Sequence, residues 1–154
     1  RPRGDRPHPP CRPASVKRTL VLLDASAFWR LGSRQLDPDR RRQMAEWIGR
    51  GIVAASTPLL LETRAGRDLP PVDPGELPWL WITERAERRA TDLQHQLRAA
   101  HQHLGVPPLD YLIAAVAEDH GASILHYDAD FERLAASTDL AATVEALAPL
   151  GSLP

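Results

Sequence analysis

Short apolar runs alternate along the chain with longer segments whose apolar residues recur at helical spacing or whose ends carry helix-capping residues. The runs predict strands and the segments between them predict helices, because a buried strand is continuously apolar whereas a surface helix repeats about every 3.6 residues. We predict five strands, at 19–24, 52–56, 79–83, 122–128 and 143–147. Six helices are predicted at 25–33, 38–50, 57–66, 84–105, 107–121 and 129–137, with a proline-rich loop at 67–78.

The order of these elements indicates the architecture. Strands that alternate with helices through short connections are typical of an α/β fold with helices on both faces of the sheet. We therefore predict a three-layer α/β/α sandwich around a mainly parallel sheet, and 154 residues suffice for one such domain. The arginine- and proline-rich start has almost nothing to bury, so we predict a disordered tail at 1–16 and a folded domain at 17–154.

Composition narrows the possible functions. The formal charge is −1, but residues 19–154 hold 13 basic and 19 acidic residues, a net charge of −6. A nucleic-acid role would therefore require a local basic patch or bound cations, because binding by phosphate neutralisation usually needs a basic surplus. Cys11 is the only cysteine, which excludes a disulfide framework or a cysteine zinc site. No apolar segment reaches the roughly 18 to 20 residues of a membrane span, and we expect a cytoplasmic protein.

Acidic residues stand where predicted strands end and predicted helices begin. Asp24 and Asp128 end strands, and Asp130 follows two residues after Asp128. Glu62 lies one turn into a helix, and Asp110 lies in the first turn of another. Because the carboxyl ends of parallel strands meet at one edge of a sheet, we expect these carboxylates to lie close together. Each acid taken alone is better explained as a helix cap or a solvated residue, so the convergence is what favours a site.

Clustered carboxylates favour a particular chemistry. They raise one another's pKa, because each charge disfavours ionisation of its neighbours. A hard cation relieves this conflict, and Mg²⁺ or Mn²⁺ prefers oxygen ligands and commonly bridges protein carboxylates to substrate phosphates. Such a site activates water for attack on a phosphodiester. Zinc is disfavoured, since His101 and His103 cannot share one helix face.

Three further residues are candidates for contacts with a substrate. Ser26 either contacts a phosphate or metal-bound water, or hydrogen-bonds to the backbone at the start of its helix. His126 precedes Asp128, although a histidine on a strand is more often a packed structural residue. Arg64, near Glu62, has the guanidinium group that binds phosphate bidentately.

Other arginines and the tryptophans have plainer interpretations. The arginine run at 40–42 is a candidate for phosphate contacts, but a solvated helix face is favoured. The arginines within 85–89 alternate with glutamates and are also expected on a solvated face. Trp47, Trp79 and Trp81 are expected in the core or in a dimer interface rather than as platforms for bases.

Four stretches carry the candidate residues in a fixed order: "TLVLLDASAFWRL", "TPLLLETRAG", "VPPLDYLIAAVAEDHGASILHYDADFERLA" and the closing "GSLP". In order and spacing, over about residues 17–154, they resemble the PIN-domain ribonucleases, specifically the VapC toxins of type II toxin–antitoxin systems. The resemblance implies that Asp24, Glu62 and Asp110 are the first three acids of the family's site, with Asp24 and Asp110 as direct metal ligands. Asp128 and Asp130 both fit the fourth position.

The same resemblance implies an activity and partners. These are magnesium-dependent cleavage of single-stranded RNA that arrests translation, homodimerisation, and a cognate VapB antitoxin whose C-terminal segment covers the site. The alternative hypothesis is a non-catalytic PIN-like module that binds RNA or a protein partner. Metal-dependent cleavage distinguishes the two.

Overall fold

The computed structural model describes residues 19–65 and 70–154. Its strands are β1 (Val21–Leu23), β2 (Val53–Ala54), β3 (Ser123–His126) and β4 (Val144–Ala146). Its α-helices are α1 (Ala25–Phe28), α2 (Pro38–Gly49), α3 (Thr57–Ala65), α4 (Glu84–Ala99), α5 (Pro108–His120) and α6 (Ala129–Ser137). A 3₁₀ turn at Pro74–Glu76 lies in the segment before α4. The predicted tail at 1–16 lies outside the described residues.

The four strands form one sheet in the order β2-β1-β3-β4, and every pairing is parallel. In register, Leu22 of β1 lies between Ala54 of β2 and Ile124 of β3. β1 and β3 are therefore the central strands, and their carboxyl ends are neighbours. This arrangement places the residues that follow Leu23 and His126 side by side.

Two apolar clusters, one on each face of the sheet, form the core. Leu22 and Ile124 pack with α4, α5 and α6, whereas Leu23 and Leu125 pack with α1 and with residues of α2 and α3. Alternate residues of a strand point to opposite faces, so a central strand must be apolar throughout to serve both clusters. The predicted three-layer α/β/α sandwich with a mainly parallel sheet is confirmed.

Two predicted helices end earlier than expected. α1 stops at Phe28 rather than at residue 33, because the chain tightens into a turn in which the Arg30 N–H donates to the Ala27 carbonyl at 3.0 Å. α4 stops at Ala99 rather than at 105, because His101 adopts a left-handed φ of 57°. Glycine usually occupies such a position, so the sequence pointed instead to Gly105 as the end.

The predicted strand at 79–83 was wrong. Its pairing is limited to a single parallel bridge between Ala55 and Trp79, in which the Leu80 N–H donates to the Ala55 carbonyl at 2.9 Å. Thr83 then caps α4, its hydroxyl accepting from the Ala86 N–H at 3.1 Å. Because β2 is only 2 residues long, the edge that it offers for pairing is short. Among the described helices, none has the length and apolar composition needed to cross a bilayer.

Two arginines expected on solvated faces make tertiary contacts instead. Arg40 donates to the Leu147 carbonyl at 3.1 Å and pairs with Glu145 at 2.6 Å, so it ties α2 to the end of β4. Arg89 of α4 has a side chain only 19% exposed and forms an ion pair with Glu118 of α5 at 2.9 Å. Their partners are 105 and 29 residues away in the chain, beyond the reach of local sequence patterns.

The tryptophans divide between the core and the surface. Trp47 and Trp79 pack against the apolar cluster that contains Leu23, as predicted. Trp81 is 70% exposed and contacts Trp79 edge-to-face, with ring centroids 6.0 Å apart. Its expected place in a dimer interface stays a prediction.

Candidate metal centre

Asp24 follows β1 and occupies the turn that begins α1. Its carboxylate Oδ2 accepts hydrogen bonds from the Ser26 N–H at 2.8 Å and from the Ser26 hydroxyl. The residue is 4% exposed, so the cap is buried. Both of these hydrogen bonds go to Oδ2, which leaves Oδ1 to accept from other groups. Asp24 is thus a helix cap whose second oxygen remains available to a ligand.

Asp128 and Asp130 lie in the corresponding turn between β3 and α6. Asp128 caps α6, its Oδ1 accepting from the Asp130 N–H at 3.0 Å. Asp130 pairs with Arg133 at 3.2 Å. The two acids, which the sequence could not rank, therefore differ: Asp130 has a cationic partner, whereas Asp128 has a capping role.

The Ser26 hydroxyl joins these two turns. Its oxygen donates to Asp24 and accepts from the Tyr127 N–H at 2.8 Å. These hydrogen bonds differ from the bond to the backbone of its own helix that the sequence offered as one interpretation, and the contact of Ser26 with a phosphate or metal-bound water stays a prediction. One hydroxyl group thereby fixes the distance between the acid that follows β1 and the acids that follow β3.

Asp110 is the acid that capping does not explain. It lies in the first turn of α5, whose N-cap is Pro107 and whose start has no side-chain capping hydrogen bond. The residue is 5% exposed, and its Oδ2 is buried without a hydrogen-bond partner among the described residues. A buried polar atom without a partner destabilises a fold by about 1–3 kcal/mol, and more when it is charged, unless a ligand satisfies it. A bound ion is one kind of ligand that would satisfy such an oxygen.

The three acids nearest one another can share a single ion. Carboxylate oxygens of Asp110, Asp128 and Asp130 lie within 4.8 Å of each other, which is close enough for one cation to contact all three. Asp24 and Glu62 do not belong to this tight group, although the charge of Asp24 acts on both Glu62 and Asp110. Glu62 is half-buried, and its Oε2 is covered without a hydrogen-bond partner in the described part of the chain. We call these five residues the acid cluster.

The electrostatics of the acid cluster favour a bound cation. Burial raises the pKa of Asp110 to about 8, and the charges of the other four acids add to that effect. Burial likewise raises the pKa of Asp24, where the Ser26 hydrogen bonds partly oppose it, and the pKa of Glu62. A divalent cation favours the ionised form of every carboxylate it contacts, so these shifts would reverse on binding. The donor set, which consists of carboxylate oxygens, suits Mg²⁺ or Mn²⁺.

Comparison with known proteins identifies the fold. The PIN domain family profile matches residues 21–137, which contain the whole acid cluster. The chain belongs to the PIN-domain family. Within it, the chain is 48% identical over 128 residues to ribonuclease VapC51 of Mycobacterium tuberculosis H37Rv, covering 82% of this chain and 78% of that protein.

Two other comparisons describe shorter or more distant likenesses. Ribonuclease VapC21 of the same strain is 50% identical over 50 residues, a match that spans 32% of this chain and only 36% of VapC21. The PIN domain also superposes on a chain of the DNA-bound VapBC complex from Salmonella typhimurium with a TM-score of 0.62 at 16% identity, covering 84% of this chain and 99% of that one. That likeness concerns the fold alone.

His126 and Arg64, the remaining candidates in this PIN domain, lie in different environments. His126 is fully buried, its Nδ1 accepts from the Asp128 N–H at 3.2 Å, and its ring packs on Phe131. This burial does not support a contact between His126 and substrate, and its ring instead supports the turn that carries Asp128. Arg64 is exposed in the last turn of α3. Its role in substrate binding stays a prediction.

Sequence reasoning missed three residues that surround the acid cluster. Arg30 donates to the Ser26 carbonyl at 2.9 Å, and its guanidinium lies 4.5 Å from the centre of the Tyr127 ring. The Tyr127 hydroxyl accepts from the Leu153 N–H at 2.6 Å, which anchors the closing "GSLP" segment to the residue that precedes Asp128. Arg133 follows Asp130 at helical i,i+3 spacing, a signal that was present in the sequence. No local sequence pattern indicated the contacts of Tyr127, because its partners lie far away in the chain.

Proposed function

We propose that this chain is a metal-dependent endoribonuclease that acts as the toxin of a VapBC-type toxin–antitoxin system in the cytoplasm. It would cleave RNA phosphodiester bonds and so inhibit translation. The observation that carries the proposal is the unpartnered, buried Asp110 oxygen within a group of five converging carboxylates. The relatives named ribonuclease VapC support RNA as the substrate class.

Asp24 and Asp110 are proposed as the direct ligands of Mg²⁺ or Mn²⁺, with Asp128, Asp130 and Glu62 completing the site. The ion supplies an activated water and stabilises the charge that develops on the scissile phosphate. The chain's own residues set the geometry: Ser26 holds the Asp24 and Asp128 turns together, and α5 carries Asp110, whose pKa is raised by burial and by the charges of both turns and of Glu62. Bound cations would also offset the acidity of residues 19–154 toward RNA.

We further propose a VapB-type antitoxin and a second copy of the chain as partners. The Salmonella complex, in which a chain of the same fold is part of a VapBC assembly, supports the antitoxin proposal. Exposed apolar residues such as Trp81 and Leu104, 70% and 77% exposed, supply surface for such contacts.

The test compares RNA cleavage by the unmodified protein and Asp24→Asn, with magnesium and with EDTA. Asp39→Asn on α2 is the matched control, because it removes the same charge from an exposed residue at a helix start that does not belong to the acid cluster. We expect magnesium-dependent cleavage that Asp24→Asn loses and Asp39→Asn retains. Equal cleavage by the protein and Asp24→Asn would contradict the assignment. RNA binding without any cleavage would favour the non-catalytic module.

A further inference from the structure

A pocket of about 590 Å³ lies beside the end of α1. Its volume falls within the roughly 300–1,000 Å³ of typical small-molecule sites. The lining combines two guanidinium groups, an indole, polar side chains and the last residue of the chain, from Trp29, Arg30, Ser33, Arg34, Gln35 and Pro154. None of the described residues that line it is acidic, although residues 19–154 carry a net charge of −6.

Arg30 connects this pocket to the acid cluster. Its Nη1 donates to the Ser26 carbonyl, and its guanidinium stacks on the Tyr127 ring. Ser26 is two residues from Asp24, and Tyr127 directly precedes Asp128, so Arg30 touches both acid-bearing turns. A ligand on the pocket side of Arg30 would therefore contact a residue that itself touches both acid-bearing turns.

The two pocket arginines differ from most arginines of the described chain. Seven described arginines form ion pairs with carboxylates: Arg40, Arg42, Arg50, Arg85, Arg88, Arg89 and Arg133. Arg30 and Arg34 form none with the described residues. Of the five N–H donors of its guanidinium, Arg30 uses one on the Ser26 carbonyl, and its Nε is buried without a partner among the described residues, so the remaining Nη donors are those available to an anionic ligand.

We propose that this pocket binds the RNA strand next to the scissile bond, with Arg30 and Arg34 on a neighbouring phosphate and Trp29 against a base. The proposal rests on the proposed function, because it names where the substrate of the acid cluster continues. Guanidinium groups bind phosphate bidentately, and aromatic side chains accept any base by stacking. The pocket is thus the local basic patch that an acidic domain requires to hold RNA.

The test measures the affinity of a short fluorescein-labelled single-stranded RNA by anisotropy, in EDTA so that cleavage does not occur. The variants are Arg34→Gln, Arg30→Gln and Arg30→Lys, with Arg88→Gln on α4 as the control, since its side chain is 79% exposed and it lines no part of the pocket. Thermal melting verifies that each variant is folded. Arg34 is exposed at the surface, so Arg34→Gln keeps the test valid if the Arg30 variants unfold.

We expect Arg34→Gln and Arg30→Gln each to weaken RNA binding about 5- to 10-fold at moderate salt. Each should also reduce the slope of log affinity against log salt by about 0.7, the effect of one lost phosphate contact on a single strand. Arg30→Lys should retain the salt slope but lose part of the affinity, because an ammonium group cannot bind bidentately. Arg88→Gln should bind as the unmodified protein does.

Other outcomes would overturn the proposal in distinguishable ways. If the protein cleaves and binds RNA while the pocket variants bind it unchanged, the subsite is wrong and the nuclease stands. If the variants bind RNA normally but no longer bind the antitoxin, the pocket belongs to a protein partner and the subsite is again wrong. If the unmodified protein neither binds nor cleaves RNA, the subsite and the proposed function both fail. Arginine-dependent binding without cleavage would support the subsite while refuting the nuclease.

Discussion

Carboxylates gather at two places in this PIN domain, and the two places differ in what neutralises the charge. On the α4–α5 side, Arg89 contacts Glu118, Asp92 and Asp139, with the Glu118 contact at 2.9 Å and the Asp139 contact at 2.8 Å. At the carboxyl edge of the sheet, the charges of four other acids act on Asp110, and among the described residues Arg133 forms an ion pair with one of them, Asp130. Arg89 pairs with every acid named in the first group, whereas in the acid cluster Asp130 alone has a cationic partner among the described residues.

The pKa directions express this difference. Hydrogen bonding to Arg89 lowers the pKa of Asp139, so that acid stays ionised in the folded chain. Burial and neighbouring charges raise the pKa of Asp110 to about 8, so that acid resists ionisation in the metal-free chain. Carboxylates whose charge is balanced by an arginine of the same chain stabilise the fold. Carboxylates that cluster at a sheet edge without such a partner indicate a site for a bound cation.

The largest expected effect comes from removing one acid from each group. Asp110→Asn should lower magnesium-dependent RNA cleavage at least about 100-fold, because it removes a proposed direct ligand. Asp92→Asn, which removes an acid beside Arg89, should leave cleavage within about 2-fold of the original rate. Initial rates on one RNA substrate measure both. A similar loss in the two variants would mean that the two groups do not differ in function.

Replacing Arg89 should have the opposite effect: it should lower the stability of the fold and leave RNA cleavage unchanged. Arg89→Ala leaves three acids without their shared partner, and we expect it to lower the free energy of unfolding by about 2–3 kcal/mol. Chemical denaturation measures the loss, and the rate of RNA cleavage below the melting temperature should be retained. Arg88→Ala, which loses only an exposed pair with Glu84, serves as control and should cost less than about 0.5 kcal/mol. Equal losses would show that the Arg89 group contributes no special stability.

The acid cluster should also make stability depend on pH when metal is absent. The pKa of Asp110 is about 8 in the folded chain against an ordinary value of 3.8, so the folded state holds its proton more tightly than the unfolded state. That contribution is fully present below pH 3.8 and is lost as pH rises toward 8. In EDTA, we expect the difference in unfolding free energy between Asp110→Asn and the unmodified protein to shift steadily in favour of the variant from pH 5 to pH 8, with a limiting slope of about 1.4 kcal/mol per pH unit.

Thermal or urea unfolding across that pH range measures the difference, and Asp92→Asn is the control that should show no such trend. Saturating Mn²⁺ should weaken the dependence, because the cation favours ionised Asp110. A difference between Asp110→Asn and the unmodified protein that stays constant with pH would contradict the assigned shift.

The smallest expected effect concerns the hydroxyl that aligns the acid cluster. Ser26→Ala removes the hydrogen bonds to Asp24 and from the Tyr127 N–H, and we expect about 1 kcal/mol less stability and roughly 10-fold slower cleavage. Ser26→Thr keeps the hydroxyl and should retain most of the rate. Rates for both variants at matched magnesium concentration test this, and an equal loss in Ala and Thr would point to packing rather than to the hydroxyl.

Much of this site could be predicted from the sequence because parallel strands impose their own geometry. Asp24 and Asp128 end the two central strands, so topology brings them together without any knowledge of side-chain packing. The two interpretations of these acids, as helix caps and as members of a site, do not exclude each other. Asp24 and Asp128 each cap a helix and also belong to the acid cluster. What distinguishes Asp110 from a helix cap is its buried oxygen without a partner among the described residues, a feature of the folded chain that the sequence does not show.

The contacts that the sequence did not disclose join residues far apart in the chain. Arg89 meets Asp139 across 50 positions, and Ser26 meets Tyr127 across 101. A local pattern of arginine and glutamate predicts a solvated helix face equally well, so the Arg89 group could not be recognised. The left-handed His101 that ends α4, where the Gln102 N–H donates to the Leu97 carbonyl at 3.0 Å, occupies a position that glycine usually takes, so no glycine signal marked it.

The central claim, that the acid cluster is a cation site and the Arg89 group is not, is tested most directly by isothermal titration of Mn²⁺ into the metal-free protein at pH 8. We expect saturable binding that Asp110→Asn weakens at least about 10-fold and that Asp92→Asn leaves unchanged. Equal binding by the protein and Asp110→Asn, or no saturable binding at all, would contradict the claim.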